Sequence, residues 1–347
     1  MSTRKDIRSL SKEEIITALQ AMGEPAFRGR QIWLWLWKKS ARSFAEMTDL
    51  SNALRAKLEE TFELKPASIH QTQISNDGTV KCSFRLWDDS FVEGVLIPTD
   101  SRTTACVSSQ VGCSLDCKFC ATGYLKRQRN LDAQEIYDQV VLLNELSMKQ
   151  YGRPLDNIVY MGMGEPLLNY ANMWRSVELI TSEEGLHMSP QRLTISTAGI
   201  SKMIMKLADD GARFNLALSL HAANDESRSS IMPINVSNPL DSLAEALGYW
   251  YRKTRTRPTL EYTVIENVND GDKEARDLIL FARRFPCKIN LIEYNPIRQA
   301  DYKPTGEDRL KSFADALSAA KLIVNVRRSR GKDIDAACGQ LVNSGQD

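Results

Sequence analysis

TACVSSQVGCSLDCKFC, residues 104–120, runs from a β-rich stretch into three closely spaced cysteines, Cys113, Cys117 and Cys120. TACVSS reads as a strand, because β-branched and small residues fit a pleated, half-buried surface. Three thiolates at this spacing are one ligand short of the usual four of an iron–sulfur cluster, so a cluster held there keeps one iron open for a substrate or cofactor. Structural zinc is the competing reading, and it wants a fourth Cys or His at a similar spacing. Of the three histidines, only His221 falls where the fold could bring it near. The spacing favours a cluster.

Outward from this stretch, β-rich runs alternate with amphipathic stretches of helical period. TACVSS precedes LDAQEIYDQVVLLNEL, NIVYMG precedes NYANMWRSVELI, and RLTIST precedes ISKMIMKLAD. FNLALSLH then PLDSLAEALGYWYRK, TLEYTVI then DKEARDLILFARRF, and KINLIEYNP then EDRLKSFADALSAAK continue the series to a last strand, LIVNVRR. Six such units in a row predict an α/β core over residues 104–340, a parallel sheet wound as an open or closed barrel, with its chemistry at the strand C-terminal ends. Residues 1–70 predict a helical accessory domain, in which Ser11 caps KEEIITALQAM and RGRQIWLWLWKK and SNALRAKLEETF follow. Trp33, Trp35 and Trp37 spread around a helix at that spacing, which predicts packing against the next domain rather than base stacking. An Asn76-Asp77-Gly78 turn, then TVKCSFRLW and SFVEGVLIP joined by Asp88 and Asp89, predict a linking β-hairpin within 71–103. Residues 341–347 are expected to form a loose tail.

Lys and Arg total 45 against 44 Asp and Glu, so the net charge of +1 excludes a strong global field and leaves local basic patches to attract polyanions. Such patches read at Lys126, Arg127 and Arg129, at Arg252, Lys253, Arg255 and Arg257, and at Arg327, Arg328 and Arg330; each is equally a solvated face. Seven cysteines, three of them clustered, with no apolar leader, point to the reducing cytosol. The longest apolar run, IWLWLW at 32–37, is far too short to span a bilayer. A cytoplasmic, soluble, monomeric protein is expected, with no membrane partner.

MGMGEP, residues 161–166, follows a predicted strand end, where glycines let backbone approach a ligand and Glu165 can accept from an ammonium. An ordinary βα turn is the alternative. Ser196 in TISTAG, Ser219 and His221 in LSLHA, and Asn295 in EYNP sit at three further strand ends. Each alone is more often a helix cap or a satisfied core group, but four strand ends facing one way favour a shared site. Cys106 and Cys338 read as buried apolar cysteines, as do Cys82 and Cys287, and Glu93 in FVEGVLIP reads as an exposed hairpin carboxylate.

The C-x3-C-x2-C spacing resembles the radical S-adenosylmethionine superfamily. The ordered set VSSQVGC, CKFCATG, RNL, MGMGEP, LTISTAGI, SLHA, MPIN, YNP and DIDAACGQL, from about residue 20 to Gln340, resembles the RlmN/Cfr family of radical SAM RNA adenine methyltransferases. The resemblance implies a partial (β/α)6 radical SAM barrel with a [4Fe-4S] cluster on Cys113, Cys117 and Cys120. It implies two S-adenosyl-L-methionine molecules per turnover, with Gly164, Glu165, Ser196, Ser219, Leu220, His221 and Asn295 as binding positions, Leu220 through its backbone. Carbon 2 of adenine lies between two ring nitrogens and is a poor nucleophile, so direct displacement at a sulfonium methyl would be slow. In the family a thiolate is methylated instead. By resemblance that thiol is Cys338, and the second cofactor molecule yields a radical that takes a hydrogen from its S-methyl group. The methylene radical adds to the ring, Cys106 releases the product by forming a disulfide with Cys338, and Glu93 matches the proton acceptor.

The implied substrates are an adenine in the peptidyl-transferase centre of 23S rRNA and the anticodon-adjacent adenine of tRNA, with an electron donor such as flavodoxin or ferredoxin. A resistance branch of the family modifies carbon 8. Pro166, where that branch tends to have Ala, favours carbon 2. The loop after CATG reads GYLKRQRNL, with Lys126 and Arg127 where many relatives have a Gly-Phe pair, so substrate contacts there are expected to differ. A different radical enzyme, or a non-catalytic zinc or iron–sulfur RNA-binding module, would need neither Cys106 nor Cys338.

Overall fold

Three helices open the computed structural model, which describes residues 4–342. They are α1 (Lys12–Ala21), α2 (Ala26–Trp37) and α3 (Asn52–Thr61). Ser11 and Glu14 form a reciprocal capping box at α1, with the Glu14 N–H donating to Ser11 Oγ at 3.1 Å and the Ser11 N–H to Glu14 Oε2 at 2.6 Å. Trp37 is fully buried and meets Tyr137 edge to face at 5.1 Å, so the tryptophan-rich helix packs on the following α/β core. A buried ion pair pins the same junction. Arg8 Nη1 donates to both Asp138 oxygens at 2.8 and 3.0 Å, and Asp138 also accepts the Ala67 N–H. Removing one partner would leave an uncompensated buried charge, which is why such pairs fix register firmly.

One ten-stranded sheet follows, with neighbours in chain order throughout. Its strands are β1 (Ser68–Ile74), β2 (Val80–Arg85), β3 (Phe91–Pro98), β4 (Thr103–Cys106), β5 (Asn157–Tyr160), β6 (Leu193–Thr197), β7 (Asn215–Ser219), β8 (Thr259–Val264), β9 (Lys288–Glu293) and β10 (Val324–Arg327). β1 to β4 pair antiparallel through short connections. From β4 to β10 every pairing is parallel. Parallel neighbours need a crossover, and the helices supply it. These are α4 (Ala133–Tyr151), α5 (Tyr170–Thr181), α6 (Ser201–Asp209), α7 (Asp225–Ile231) with α8 (Leu240–Thr254), α9 (Asp272–Ala282) and α10 (Glu307–Ala319). Leu216, Ala217 and Leu218 of β7 are all buried, as expected of a strand covered on both faces. The C-terminal ends of β4 to β9 therefore converge on one rim of the half-barrel.

Two expectations need correction. The expected hairpin forms as β2 and β3, but it belongs to a three-stranded antiparallel extension of the main sheet rather than to a separate linker: β1 precedes the Asn76-Asp77-Gly78 turn, and β3 pairs with β4 through Val95 and Cys106. Its first strand, SIHQTQI, has mostly exposed residues and no apolar alternation to betray it. The supposed tail is also not loose where it is described. Leu341 is buried and the Val342 N–H donates to Glu93 Oε2 at 2.9 Å; residues 343–347 lie outside the described chain. Among the described residues, no helix is long and apolar enough to cross a membrane.

Candidate active site

The cysteine loop leaves the C-terminal end of β4 and is closed at its base. Gln110–Val111 pairs antiparallel with Arg129–Asn130, and Arg129 forks onto Asp88 at 2.7 and 2.9 Å and onto Glu135 at 2.7 and 2.9 Å. Planar, bidentate geometry of this kind gives rigidity as well as energy. Cys113, Cys117 and Cys120 then line one wall of a cleft together with Leu115 and Phe119. Burial pushes all three thiols up, Cys113 to about 11, and neighbouring thiols push Cys113 and Cys117 further in the same direction. At Cys117 the buried guanidinium of Arg228 opposes this.

Among the described residues, no group of three or more His, Cys, Asp and Glu side chains is gathered to hold a single metal ion. The thiols instead share a cavity wall, which suits a multi-iron body spanning them, whose positive charge would deprotonate them. His221, the histidine considered for zinc, has other work. Its Nδ1 accepts the Thr263 N–H at 3.0 Å, Phe119 packs on its ring at 4.6 Å, and burial, then Arg228, push it down to about 3. The ring is neutral, with its remaining proton on Nε2.

Opposite the cysteines, strand ends build a polar cradle. Gly162 and Gly164 let the MGMGEP turn lie against the segment after β4: a Cβ on Gly162 would sit 2.6 Å from Ser108 Oγ, and one on Gly164 2.9 Å from Gln110 N. Gly164 also has a φ of +91°, in the region that favours glycine. Glu165 is buried, and burial raises its carboxyl while backbone N–H groups of Ala198 and Leu167, at 2.7 and 2.9 Å, favour the charged form. Ser196 and Ser219, at the ends of β6 and β7, line the cleft with their hydroxyls 3.4 Å apart.

Leu220 and Asn295 stand apart from this wall. The Leu220 N–H donates to the Glu261 carbonyl, and its own carbonyl accepts from Arg228. Asn295 Nδ2 donates to the Cys338 carbonyl at 3.2 Å, leaving Oδ1 buried without a hydrogen bond.

A second chamber adjoins the first. It is lined by Cys106, Val95, Arg102, Arg327, Arg328 and Arg330, and Cys338 with Gly339 forms part of the wall of both chambers. Cys106, at the end of β4, is pushed up to about 12 by burial and then by Cys338. Cys338 is solvent-accessible because it faces the cavity; burial of its surroundings raises its thiol, and Arg327 opposes that. All seven cysteines are free thiols, so the disulfide that the resemblance implies between Cys106 and Cys338 is not formed in this state. Glu93, read from sequence as an exposed carboxylate, is wholly buried on β3 and is not among the residues lining either chamber. Cys82 is buried and Cys287 half-buried in the packing.

Two residues of the site escaped the sequence reading. Arg228 is fully buried and ties strand ends together, donating to Leu220 O at 3.1 Å, Ala198 O at 2.6 Å, Ser219 O at 3.2 Å and Asn235 Oδ1 at 2.8 Å. Glu261, a buried carboxylate in the cofactor-side cleft, faces Arg327 at 3.6 Å. Nothing in the local sequence marks Arg228, which lies in the polar run DESRSSI; a buried arginine serving backbone carbonyls is a tertiary fact. The basic clusters are also less available than sequence suggests: Arg129 is occupied as above, Arg328 pairs with Glu307 and Arg330 with Asp77.

Three cysteines facing a glycine-and-glutamate cradle at the C-terminal rim of a parallel half-barrel define a radical S-adenosylmethionine enzyme. The family model described as Radical SAM superfamily matches residues 107–279, and that of the ribosomal RNA large subunit methyltransferase N-terminal domain matches residues 5–64. A protein of Cytophaga hutchinsonii called a probable dual-specificity RNA methyltransferase RlmN is 57% identical over 338 residues, covering 97% of this chain and 93% of that protein. A dual-specificity RNA methyltransferase RlmN from Desulfotalea psychrophila is 42% identical, covering 97% of this chain and 94% of its own. The crystal structure of a radical SAM methyltransferase from Sphaerobacter thermophilus superposes with a TM-score of 0.92 at 40% identity, covering 98% and 99% of the two chains. The chain belongs to the RlmN family of radical SAM methyltransferases. With that membership come a [4Fe-4S] cluster and S-adenosylmethionine as cofactors, and the three clustered thiols and the cradle fit them.

Proposed function

We propose that this chain methylates carbon 2 of an adenine in 23S rRNA and of the anticodon-adjacent adenine in tRNA, with Cys338 as an intermediate methyl carrier. The observation that carries the reading is the position of Cys338 on the wall common to both chambers, one bounded by the cluster cysteines and Glu165, the other by Cys106 and arginines. A group bound to its sulfur can face either chamber without the protein opening.

Cys113, Cys117 and Cys120 hold the cluster, and Gly164, Glu165, Ser196, Ser219 and His221 form the cradle for the cofactor's amino, carboxylate and ribose groups. When bound, this pair supplies a carbon radical able to take hydrogen from a methyl group. The chain's own residues do the rest. Leu115, Phe119 and Met232 keep the cleft apolar and exclude water. Cys338, as thiolate and helped by the charge of Arg327, would attack the sulfonium methyl carbon: a bond from Sγ to that carbon forms, the carbon–sulfonium bond breaks, and its electron pair leaves with the thioether product. Once the methylene carbon is joined to the base and the ring has given up its unpaired electron, which the cluster would accept, Cys106 attacks Cys338 Sγ: a sulfur–sulfur bond forms, the carbon–sulfur bond breaks, and the electron pair left with the nucleobase takes up a proton to complete the new methyl group. The ring proton goes to Glu93, the acceptor the resemblance implies, once the segment at Val342 that covers its carboxylate has moved aside. A thiol reductant must then restore both cysteines. Leu220 acts by holding the Arg228 network through its backbone, and Asn295 by fixing Cys338.

The adenine must be unpaired to enter the second chamber, where Arg102 and Arg327 suit phosphate and Arg328 and Arg330 would have to exchange Glu307 and Asp77 for it. A cysteine usage with three of seven thiols clustered fits a reducing, cytoplasmic setting, where a monomer served by a flavodoxin or ferredoxin would act. The test is methyl transfer to unmodified 23S rRNA fragments and tRNA by the anaerobically reconstituted enzyme, with mass spectrometry of the modified nucleoside. We expect 2-methyladenosine, lost in Cys338→Ala; 8-methyladenosine would overturn the carbon assignment, and transfer by Cys338→Ala would overturn the carrier.

A further inference from the structure

β2 and β3 pair in a register that sets Lys81 opposite Val95 and Ser83 opposite Glu93. Cross-strand partners share a face, so Lys81 and Glu93 are diagonal neighbours on one side of the sheet. Both are buried, with Lys81 Nζ 3.9 Å from Glu93 Oε1. The C-terminal segment lies on that face, and each member of the pair reaches its main chain at a different end. Lys81 Nζ donates to the Asp335 carbonyl at 3.5 Å, ahead of Cys338, and Glu93 Oε2 accepts the Val342 N–H at 2.9 Å, beyond it. Upstream, the turn between β1 and β2 continues the attachment: Asp77 Oδ2 accepts the Gly331 N–H at 3.0 Å and Asp333 Oδ2 the Asn76 N–H at 3.0 Å.

Between the two grips the strap crosses the cluster loop. Gly339 O accepts the Ala121 N–H and Leu341 O the Thr122 hydroxyl, both at 2.7 Å. These two bonds hold the strap beside Cys338 against the cluster loop, so lifting the strap breaks them and moves Cys338 relative to the cluster cysteines. Buried ion pairs add little net stability compared with apolar packing, so stability alone is a weak reason to keep this one. A cation and an anion fixed to neighbouring strands, each aimed at one end of the same segment, instead set position.

We propose that Lys81 and Glu93 form a two-point latch on the strap 335–342, and that Lys81 is a positioning residue for Cys338. With the strap down, Val342 covers the Glu93 carboxylate; lifting it exposes the carboxylate and displaces Cys338 in one movement. The latch thus links the place of the thiol to the availability of the proton acceptor. Its functional weight rests on the carrier role proposed for Cys338, but its existence does not.

Hydrogen–deuterium exchange on the full-length, anaerobically reconstituted enzyme reads the latch directly. Lys81→Gln is expected to speed exchange in peptides covering 335–342 about tenfold, by raising the local opening population, while peptides of α4 and β7 stay unchanged. Lys81→Arg, which keeps a donor and the charge, should restore protection. Glu93→Gln keeps an acceptor for the Val342 N–H and should protect Val342, whereas Glu93→Ala should not. The same Lys81→Gln protein should methylate Cys338 several-fold more slowly at unchanged cofactor affinity. Wild-type exchange at 335–342 in both Lys81→Gln and Glu93→Ala, or global loss of protection that Lys81→Arg fails to restore, overturns the latch. Failure of the carrier reading is separate, and shows as methyl transfer by Cys338→Ala.

Discussion

Glu165 joins two strand ends of the cradle: its Oε2 accepts the N–H of Ala198, just past β6, at 2.7 Å, while Oε1 accepts the Leu167 N–H at 2.9 Å in its own turn. Glu165→Gln keeps the shape but turns an NH2 group toward one of these donors and removes the charge offered to the cofactor's ammonium. A charged hydrogen bond contributes about 1.5–3 kcal/mol, so S-adenosylmethionine affinity should fall by about ten- to a hundredfold. Equilibrium binding to the reconstituted enzyme measures it, and an unchanged affinity would take Glu165 out of the cofactor site.

Arg228 serves three backbone carbonyls and Asn235 from a wholly buried position. Arg228→Lys keeps the charge but lacks the planar fork, and leaves carbonyls of β6 and β7 ends unpaired. The expected cost is about 2–4 kcal/mol of unfolding free energy, with reduced iron retained per chain after reconstitution. Wild-type stability and iron content together would contradict this placement.

His221 gives a pH signature. Its pKa is pushed down from 6.5 to about 3 by burial and then by Arg228. The unfolded chain takes up this proton as pH drops below about 6.5, while the folded chain resists until about 3, so the contribution to stability is complete above 6.5 and declines as pH falls. The slope is at most about 1.4 kcal/mol per pH unit. His221→Asn keeps an acceptor for the Thr263 N–H and removes the titration. Between pH 7 and 4 the urea midpoint of the wild type should fall further than that of the variant; an equal fall in both would contradict the depressed imidazole.

The carrier thiol titrates high. Burial raises Cys338 and Arg327 opposes it. Alkylation of Cys338 by iodoacetamide, followed by peptide mass spectrometry, should still be rising about tenfold per pH unit at pH 8. Arg327→Gln should slow it several-fold and Arg327→Lys recover most of the rate. A plateau below pH 8 would contradict the raised thiol, and indifference to Arg327→Gln would show that Arg327 does not act on this sulfur.

The parallel half-barrel was legible because each strand–helix unit carries its own period, and the cluster because three cysteines in CSLDCKFC leave few chemical alternatives. The cradle residues Glu165, Ser196 and Ser219 could be placed together once their strand ends were known to face one rim. Glu93 was misjudged from its hairpin setting, since its burial comes from the C-terminal strap packing over β3. β1 was missed because SIHQTQI is an exposed strand stabilised by its ladder to β2 rather than by an apolar face. Arg228 and Lys81 were invisible for a shared reason: their partners are main-chain atoms brought close only by the fold, and main-chain atoms leave no mark in a sequence.

The most direct measurement follows the methyl group itself. Enzyme carrying a trideuteromethyl group on Cys338, then given unlabelled S-adenosylmethionine, reductant and unmodified RNA, should pass deuterium to adenine in the first turnover, with the label disappearing from the Cys338 peptide. Methylated RNA without deuterium, beside a Cys338 peptide that keeps its label, would contradict the account.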